Sequence, residues 1–304
     1  MLLSKEITLI KRLKELFDTG SAELHHDYWD EELLQIYCDT LGERIRWKWQ
    51  HFLNELKLQK IHPNLLFPEQ SLAITDWGCG PGTASLAFAE SNMSDMLNSF
   101  SFEDRSQVAI HFAQKRLKEW NSKEDTQANA PKALLISYVL SELPKDEETK
   151  LIEKIFNFDL FLWVDAGTHT ESRKLGEIRN TLLSHFDFYS PCPHSLKCPL
   201  SGDTNPNDWC HRFAKPPQEV FHSAYWSEIS KLLKIDLRSL PYSSLMGIKK
   251  KHQITHSPQA TRLGRPRVFK HEIVLDHCNP DGSYSHDKVS KREHPALFKK
   301  LRKE

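Results

Sequence analysis

From about residue 70 the chain alternates short apolar runs with stretches of helical periodicity, and this alternation limits its possible folds more than any other feature. LAITDW (72–77), SFSFED (99–104), ALLISYV (133–139), LFLWVDA (160–166) and FDFYS (186–190) read as strands. Residues 83–92, 106–119, 146–155 and 171–184 read as the helices between them. Strand and helix in turn mean βαβ units and a mostly parallel sheet. Residues 1–60 read as helical. Leu34, Tyr37, Leu41, Ile45, Trp49, Phe52 and Leu56 recur at steps of three and four and draw one apolar stripe. Glu43, Arg44, Arg46 and Lys48 lie between them, which predicts a charged opposite face on a helix packed against the following domain. After 190 the periodicity stops. YSSLMGI (242–248) and FKHEIVLD (269–276) remain as candidate closing strands, and KREHPALFKKLRKE as a surface helix or a disordered arm.

The chain carries equal numbers of acidic and basic residues, 41 each, but they are unevenly spread. Residues 246–304 hold 14 Lys/Arg against 6 Asp/Glu, a net of +8, which leaves the remainder at −8. A basic segment on an acidic body suits a polyanion such as RNA; a solvated tail without a partner is the plainer alternative. No run of 18 apolar residues is present, so no membrane partner is expected. The opening MLLSKEITLIKRLKELFDTG has no continuous apolar core and carries Glu6, Glu15 and Asp18, unlike a signal or transit peptide. The expectation is a cytoplasmic protein, and in that compartment clustered cysteines are more often metal ligands or reactive groups than disulfides.

The first strand runs into Asp76-Trp77-Gly78-Cys79-Gly80-Pro81-Gly82-Thr83. Glycines tighten such a turn and let a nucleotide-type cofactor approach the backbone, and the following helix offers N–H groups. The order D-x-G-x-G-x-G is not the dinucleotide fingerprint. It resembles the first motif of the class I S-adenosylmethionine (SAM) methyltransferases. That resemblance places Asp76, Gly78, Gly80 and Gly82 under the methionine part of SAM, and an acidic residue ending the second strand on the ribose hydroxyls. SFSFED offers Asp104, with Glu103 as the alternative; a carboxylate can accept both bonds from a vicinal diol. Ser137, at the end of the third strand, is added to the cofactor contacts. The catalytic residues are unknown. The strand continues Ser137-Tyr138-Val139-Leu140, where amide and exocyclic-amine methyltransferases carry Asn/Asp-Pro-Pro-aromatic, and it lacks the Pro-Cys of the RNA cytosine-5 enzymes.

Three of the six cysteines fall in PCPHSLKCPLSGDTNPNDWCH (191–211), and Cys278 follows in LDHCNPDG. Cys192, Cys198, Cys210 and Cys278 suit a tetrahedral zinc site or a [4Fe–4S] site. The tight C-x2-C knuckle common for zinc is missing, while His194, His211 and His277 each neighbour a candidate ligand. Reduced surface thiols in a loop are the remaining reading, though a loop of about 27 residues needs something to order it.

Together these blocks resemble one family. They are a YW…RI-W-KW helical segment, D-x-G-x-G-PGT, S-x-VLSEL, an acidic-x-GT after the fourth strand of this chain, PCPH…CP…WCH, and a late D-x-C-x-x-DG. From about Tyr28 to Lys291 the chain is similar to the methyltransferase-like proteins of the mitochondrial small ribosomal subunit (methyltransferase-like protein 17 and its fungal, bacterial and archaeal relatives). The resemblance implies an α/β fold: a class I methyltransferase (Rossmann-like) sheet with an N-terminal helical region, a cysteine-rich metal loop and a basic C-terminal extension. The segments would be 1–68 helical, 69–190 SAM-binding core, 191–245 cysteine-rich insertion, and 246–304 closing strands and basic extension. It implies association with small-subunit rRNA during assembly, no DNA partner, and a [4Fe–4S] cluster on Cys192, Cys198, Cys210 and Cys278. The chain departs from the family in having Asp165-Ala166-Gly167-Thr168 for Glu-Pro-Gly-Thr, Tyr242 in YSSL for a fuller FSYL block, and no long targeting extension.

Three functions follow. The first is a methyltransferase-like rRNA-binding protein that assists small-subunit assembly, with Arg262, Arg265, Arg267, Lys270, Lys288, Lys291 and Arg292 on phosphates. The second is an active SAM-dependent rRNA methyltransferase. The third is a zinc-stabilised methyltransferase acting on a non-RNA substrate. The oligomeric state is not legible in the sequence.

Overall fold

The structure is a computed structural model that describes residues 2–18, 29–59, 61, 67, 70–120, 130–252 and 258–304. In chain order its elements are α1 (Ser4–Asp18), α2 (Glu31–Tyr37), a π-helical turn (Cys38–Gly42), α3 (Glu43–Leu58), β1 (Leu72–Trp77), α4 (Thr83–Ala89), β2 (Leu97–Glu103), α5 (Gln107–Arg116), β3 (Lys132–Ser137) and α6 (Lys145–Ile155). They continue with β4 (Leu160–Ala166), α7 (His169–Leu182), β5 (Phe186–Ser190), β6 (Arg212–Ala214), α8 (Ala224–Leu233), β7 (Leu240–Lys249), β8 (Thr261–Val268), β9 (Glu272–Cys278), β10 (Tyr284–Ser290) and α9 (Pro295–Leu301). Two compact units form: Met1–Val164 with Ala214–Leu240, and Asp165–Phe213 with Pro241–Glu304.

The first unit is a mixed α/β, Rossmann-like structure on parallel strands in the order β2-β1-β3-β4. Ala133–Ile136 of β3 and Leu160–Val164 of β4 are buried at every residue. Inner parallel strands are covered on both faces, and so these two read as unbroken apolar runs. The chain leaves β1 for β2 on one side and later returns as β3 on the other. Such a reversal opens a crevice beyond the carboxyl ends of β1 and β3, the place where α/β sheets hold ligands.

The N-terminal helices build on the same unit. Asp30 starts α2, its carboxylate accepting from Leu33 N at 2.8 Å. The π-helical turn joins α2 to α3 and slips the helix face by about one residue. Leu33 and Ile36 pack with Ile10 and Leu13 of α1 and with Ile229 and Leu233 of α8. Ile45, Trp49, Phe52 and Leu56 of the expected stripe are buried. The expected charged face is not a solvated one, because α3 is covered on two sides. Trp47 packs on Trp226 of α8 at 4.9 Å between ring centroids, and Lys48 is only 7% exposed. Arg46 pairs with Glu43 at 2.6 Å and with Glu90 at 2.5 Å.

The second unit holds α7, β5 antiparallel to β7, and the antiparallel sheet β10-β9-β8. The segment expected as a surface helix or arm contains α9, which starts on Pro295 and buries Phe298 and Leu301 against Ile273 and Val289. β8 (TRLGRPRV) and β10 (YSHDKVS) were not expected as strands. Both are edge strands whose polar residues face solvent, which removes the apolar alternation used to recognise a strand. Among the described residues, no helix is long and apolar enough to cross a membrane.

Candidate functional site

A pocket of about 590 Å³ opens at the carboxyl ends of β1 and β3 in the first unit. The glycine loop forms one wall. Gly80 takes φ +48°, and a Cβ there would meet nothing within 4 Å, so the backbone leaves open space. Gly82 takes φ +74°, and a Cβ there would stand 2.9 Å from Leu117 Cδ1 and 3.1 Å from Ala113 Cβ. Gly78 and Gly80 line the pocket; Gly82 instead turns the chain tightly into α4.

Asp76 does not line this pocket. It is fully buried, and its Oδ2 accepts from Ser85 Oγ at 2.7 Å and from Ser85 N at 3.3 Å. Burial pushes its carboxyl up to about 7, against the two Ser85 hydrogen bonds. It therefore ties β1 to α4. Asp104 lines the pocket, but both of its oxygens are engaged. Oδ2 accepts from Gly80 N at 2.8 Å and Oδ1 from Ser106 N at 2.9 Å, so the side chain braces the glycine loop. Glu103, also on the wall, lies 2.8 Å from Lys154 Nζ. Ser137 is present too, its Oγ accepting from Trp49 Nε1 at 2.9 Å. Thr83, which the sequence reading passed over, puts on the same wall a buried hydroxyl that has no hydrogen-bond partner among the described residues.

The facing wall comes from the α2–α3 helix, through Tyr37, Leu41, Arg44, Ile45 and Lys48. Lys48 donates to the hydroxyl of Tyr138, which follows β3 in the left-handed region at φ 55°. Sequence reasoning missed this group because Lys48 was placed on the charged face opposite the apolar stripe. Its position three residues after Ile45 and seven after Leu41, within the apolar period, was the available signal.

In the second unit Cys192, Cys198, Cys210 and Cys278 line one small cavity with Arg179, His194, Leu200 and Leu263. All four thiols are free, and Cys38 and Cys79 lie elsewhere, in the π-helical turn and the glycine loop. Burial pushes the Cys198 and Cys210 thiols up, and that of Cys278 to about 12, with neighbouring cysteines adding to each. Arg179 of α7 is 2% exposed and donates from Nε to Cys192 Sγ at 3.1 Å. His194 Nδ1 accepts from Leu196 N at 3.1 Å, so the ring proton sits on Nε2, 3.3 Å from Cys278 Sγ. His211 stacks on Trp209 at 4.8 Å. Among the described residues, no group of three or more His, Cys, Asp or Glu stands ready to hold a metal ion. The sequence expectation of a metal centre thus meets a shared thiol-lined cavity and not a formed single-ion cage.

Two arginines missed by sequence reasoning order the loop. Arg179 also donates to the carbonyls of His194 at 2.6 Å and Leu196 at 2.7 Å. Arg173, two turns earlier on α7, donates to the carbonyls of Leu200 and Asn205, both at 2.9 Å, and also to that of Gly202. A loop without strands or helices satisfies its backbone in this way.

Of the seven basic residues expected on RNA, three are paired: Arg262 with Glu304 at 2.7 Å, Arg267 with Asp276 at 2.5 Å and Lys288 with Glu272 at 3.6 Å. Arg265 lies over the Phe213 ring at 4.1 Å. Lys270, Lys291 and Arg292 are exposed at the end of the three-stranded sheet away from Cys278, beside Phe269, which is 55% exposed.

No curated protein sequence matches the chain. Solved structures similar to it include the plantazolicin methyltransferase BpumL in complex with SAH, at 12% identity and TM-score 0.38 over 79% of this chain and 99% of that one. A candidate RNA methyltransferase from Pyrococcus horikoshii aligns at 10% identity and TM-score 0.36 over 64% and 81%. Precorrin-6y C5,15-methyltransferase from Geobacter metallireducens GS-15 aligns at 10% and 0.33 over 64% and 88%. The family profile described as mitochondrial small ribosomal subunit Rsm22 matches residues 69–304, spanning the glycine loop, all four cavity cysteines and the basic sheet, and the chain belongs to that family.

Proposed function

We propose that the chain binds an S-adenosylmethionine-type cofactor in the first unit's pocket and acts as a methyltransferase-like protein that binds small-subunit rRNA and assists assembly of the small ribosomal subunit. The observation that carries the cofactor reading is the glycine loop at the strand-order reversal, where Gly80 leaves open space. Around it stand the unpartnered Thr83 hydroxyl and the Glu103 and Asp104 carboxylates. Gly78, Gly80, Thr83, Asp104, Glu103 and Ser137 would hold the group, with Asp104 braced by Gly80 and Ser106 and Glu103 by Lys154 as the two carboxylates within reach of a ribose diol. When bound, the cofactor supplies an electrophilic methyl group. Asp76 keeps the loop on α4 and Trp49 orients Ser137.

The second unit supplies the rRNA contact in this reading. Lys270, Lys291 and Arg292 would meet phosphates, and Phe269 offers a face for an unstacked base. Cys192, Cys198, Cys210 and Cys278 would hold a [4Fe–4S] cluster. The donors fit: four sulfurs share one cavity, with the buried Arg179 guanidinium beside Cys192 to offset thiolate charge. Free thiols suit a reducing compartment, and the cytoplasm is the proposed location, tested by cell fractionation.

An active rRNA methyltransferase is the second reading, favoured by the pocket's further wall of Tyr37, Arg44, Lys48 and Tyr138, which leaves space for an acceptor. Incubation of methyl-labelled SAM with immature small subunits separates the two. Subunit binding without label in rRNA supports the assembly factor; label in rRNA supports the enzyme; no subunit binding removes both.

A further inference from the structure

The wall facing the glycine loop carries charge that the cofactor contacts above leave unused. Arg44 and Lys48, one helical turn apart, line it beside Leu41 and Ile45. Lys48 holds the Tyr138 hydroxyl. Tyr138 adopts its left-handed backbone while its N donates to Val164 O at 2.9 Å, a costly conformation for a residue with a side chain, kept where it aims the phenol at Lys48. Arg44 is half-buried, yet among the described residues it donates only to the carbonyl oxygens of Asp236 at 3.4 Å and Ser239 at 3.3 Å. Its Nε is buried without a hydrogen-bond partner, and the described residues bring no carboxylate into ion-pair distance. Desolvation pulls its pKa below the ordinary value, with Tyr138 and Asp236 opposing. A guanidinium withdrawn from water without an anion is an unfavourable resting arrangement that a bound anion would relieve.

We propose that Arg44, Lys48 and the Tyr138 hydroxyl form an anion subsite in this pocket that takes a group with two charged oxygens. The guanidinium fork matches such a group in two-point geometry, and the ammonium adds a point charge. Resting on the SAM reading, the same chemistry has two sources: the carboxylate at the amino-acid end of the cofactor, or the phosphate of an acceptor nucleotide.

Calorimetry on the full chain separates them. The probes are S-adenosylhomocysteine; 5′-methylthioadenosine, which shares its nucleoside and thioether but lacks the carboxylate; and cytidine monophosphate added to protein saturated with S-adenosylhomocysteine. If the cofactor supplies the anion, Arg44→Gln and Lys48→Met each weaken S-adenosylhomocysteine roughly tenfold to hundredfold and leave 5′-methylthioadenosine unchanged. If the acceptor supplies it, both nucleoside probes bind unchanged, and cytidine monophosphate binds the wild type but not the variants. Unchanged 5′-methylthioadenosine binding also shows that the pocket is folded. Tyr138→Phe, which removes one oxygen and no charge, replaces a variant that loses that control and should weaken the same anionic probe several-fold. Variants that bind every probe as the wild type does overturn the subsite alone. Wild type that binds neither nucleoside probe overturns the cofactor reading, and the subsite with it.

Discussion

Replacing Arg179 with methionine tests what orders the cysteine loop. The arginine holds Cys192 Sγ at 3.1 Å and the carbonyls of His194 and Leu196 at 2.6 and 2.7 Å, and its guanidinium lies 4.5 Å from the centroid of Phe188. Methionine keeps an unbranched stem of similar reach and removes every donor. Each hydrogen bond from a charged donor contributes about 1.5–3 kcal/mol, and the two carbonyls would lose theirs together. The cation–π contact adds about 1 kcal/mol. Against this stands the arginine's own desolvation, several kcal/mol, which the variant no longer bears. The net loss works out at about 2–4 kcal/mol. Urea unfolding of chelator-treated protein, followed by circular dichroism, measures it, and limited proteolysis reads the loop between residues 195 and 208. The midpoint should fall and cleavage in that window should rise, both without metal. A loss below about 0.5 kcal/mol with unchanged cleavage would refute the claim that the α7 arginines order the loop.

Three further outcomes are expected. After anaerobic reconstitution with iron and sulfide, Cys198→Ser should lose the metal while Cys38→Ser keeps it, read as iron per chain; equal loading of both would break the four-cysteine assignment. Burial raises the Asp76 carboxyl from 3.8 to about 7, so between those values the folded chain binds more protons than the unfolded one and stability falls as pH rises through that window. Asp76→Asn should flatten that fall and stabilise the protein at pH 8 by about 2–4 kcal/mol, measured as urea midpoints at pH 4.5 and 8. Gly167→Ala should destabilise by about 2–4 kcal/mol in thermal unfolding, because its Cβ would stand 2.5 Å from Tyr242 N and 2.8 Å from Pro241 C, backbone that cannot swing aside. Gly176→Ala, whose Cβ would meet Cys198 Sγ at 3.7 Å, serves as the tolerated control.

The sequence made several strands of the larger sheet legible because their signal is local. β1, β4 and β5 begin and end at the residues their apolar runs indicate, and the D-x-G-x-G-x-G order places the turn after β1. The cysteine constellation was legible through sequence spacing and family resemblance, and the cavity brings the four residues together. What was hidden depends on contacts between distant segments. Lys48 reads as a solvated residue until Tyr138 is brought to it from 90 positions away. Arg173 and Arg179 read as the polar face of an ordinary helix until the loop carbonyls close over them. Asp76 carries the residue type of a cofactor contact but is buried on Ser85 outside the pocket, whereas Asp104 holds Gly80 and Ser106 while still lining it, a distinction that only geometry makes. β8 and β10 escaped because edge strands need little apolar pattern once β9 supplies their hydrogen bonds.

The most direct test of the cofactor reading is calorimetric titration of SAM into the wild type and Gly80→Asp. The substitution places its side chain in open space, at a left-handed φ that aspartate tolerates, so the fold should persist while the cavity is filled with a charge close to Asp104. The account predicts one saturable site in the wild type and its loss in a variant that unfolds at a similar temperature. A wild type that does not bind SAM, or a variant that binds it equally well, would contradict it.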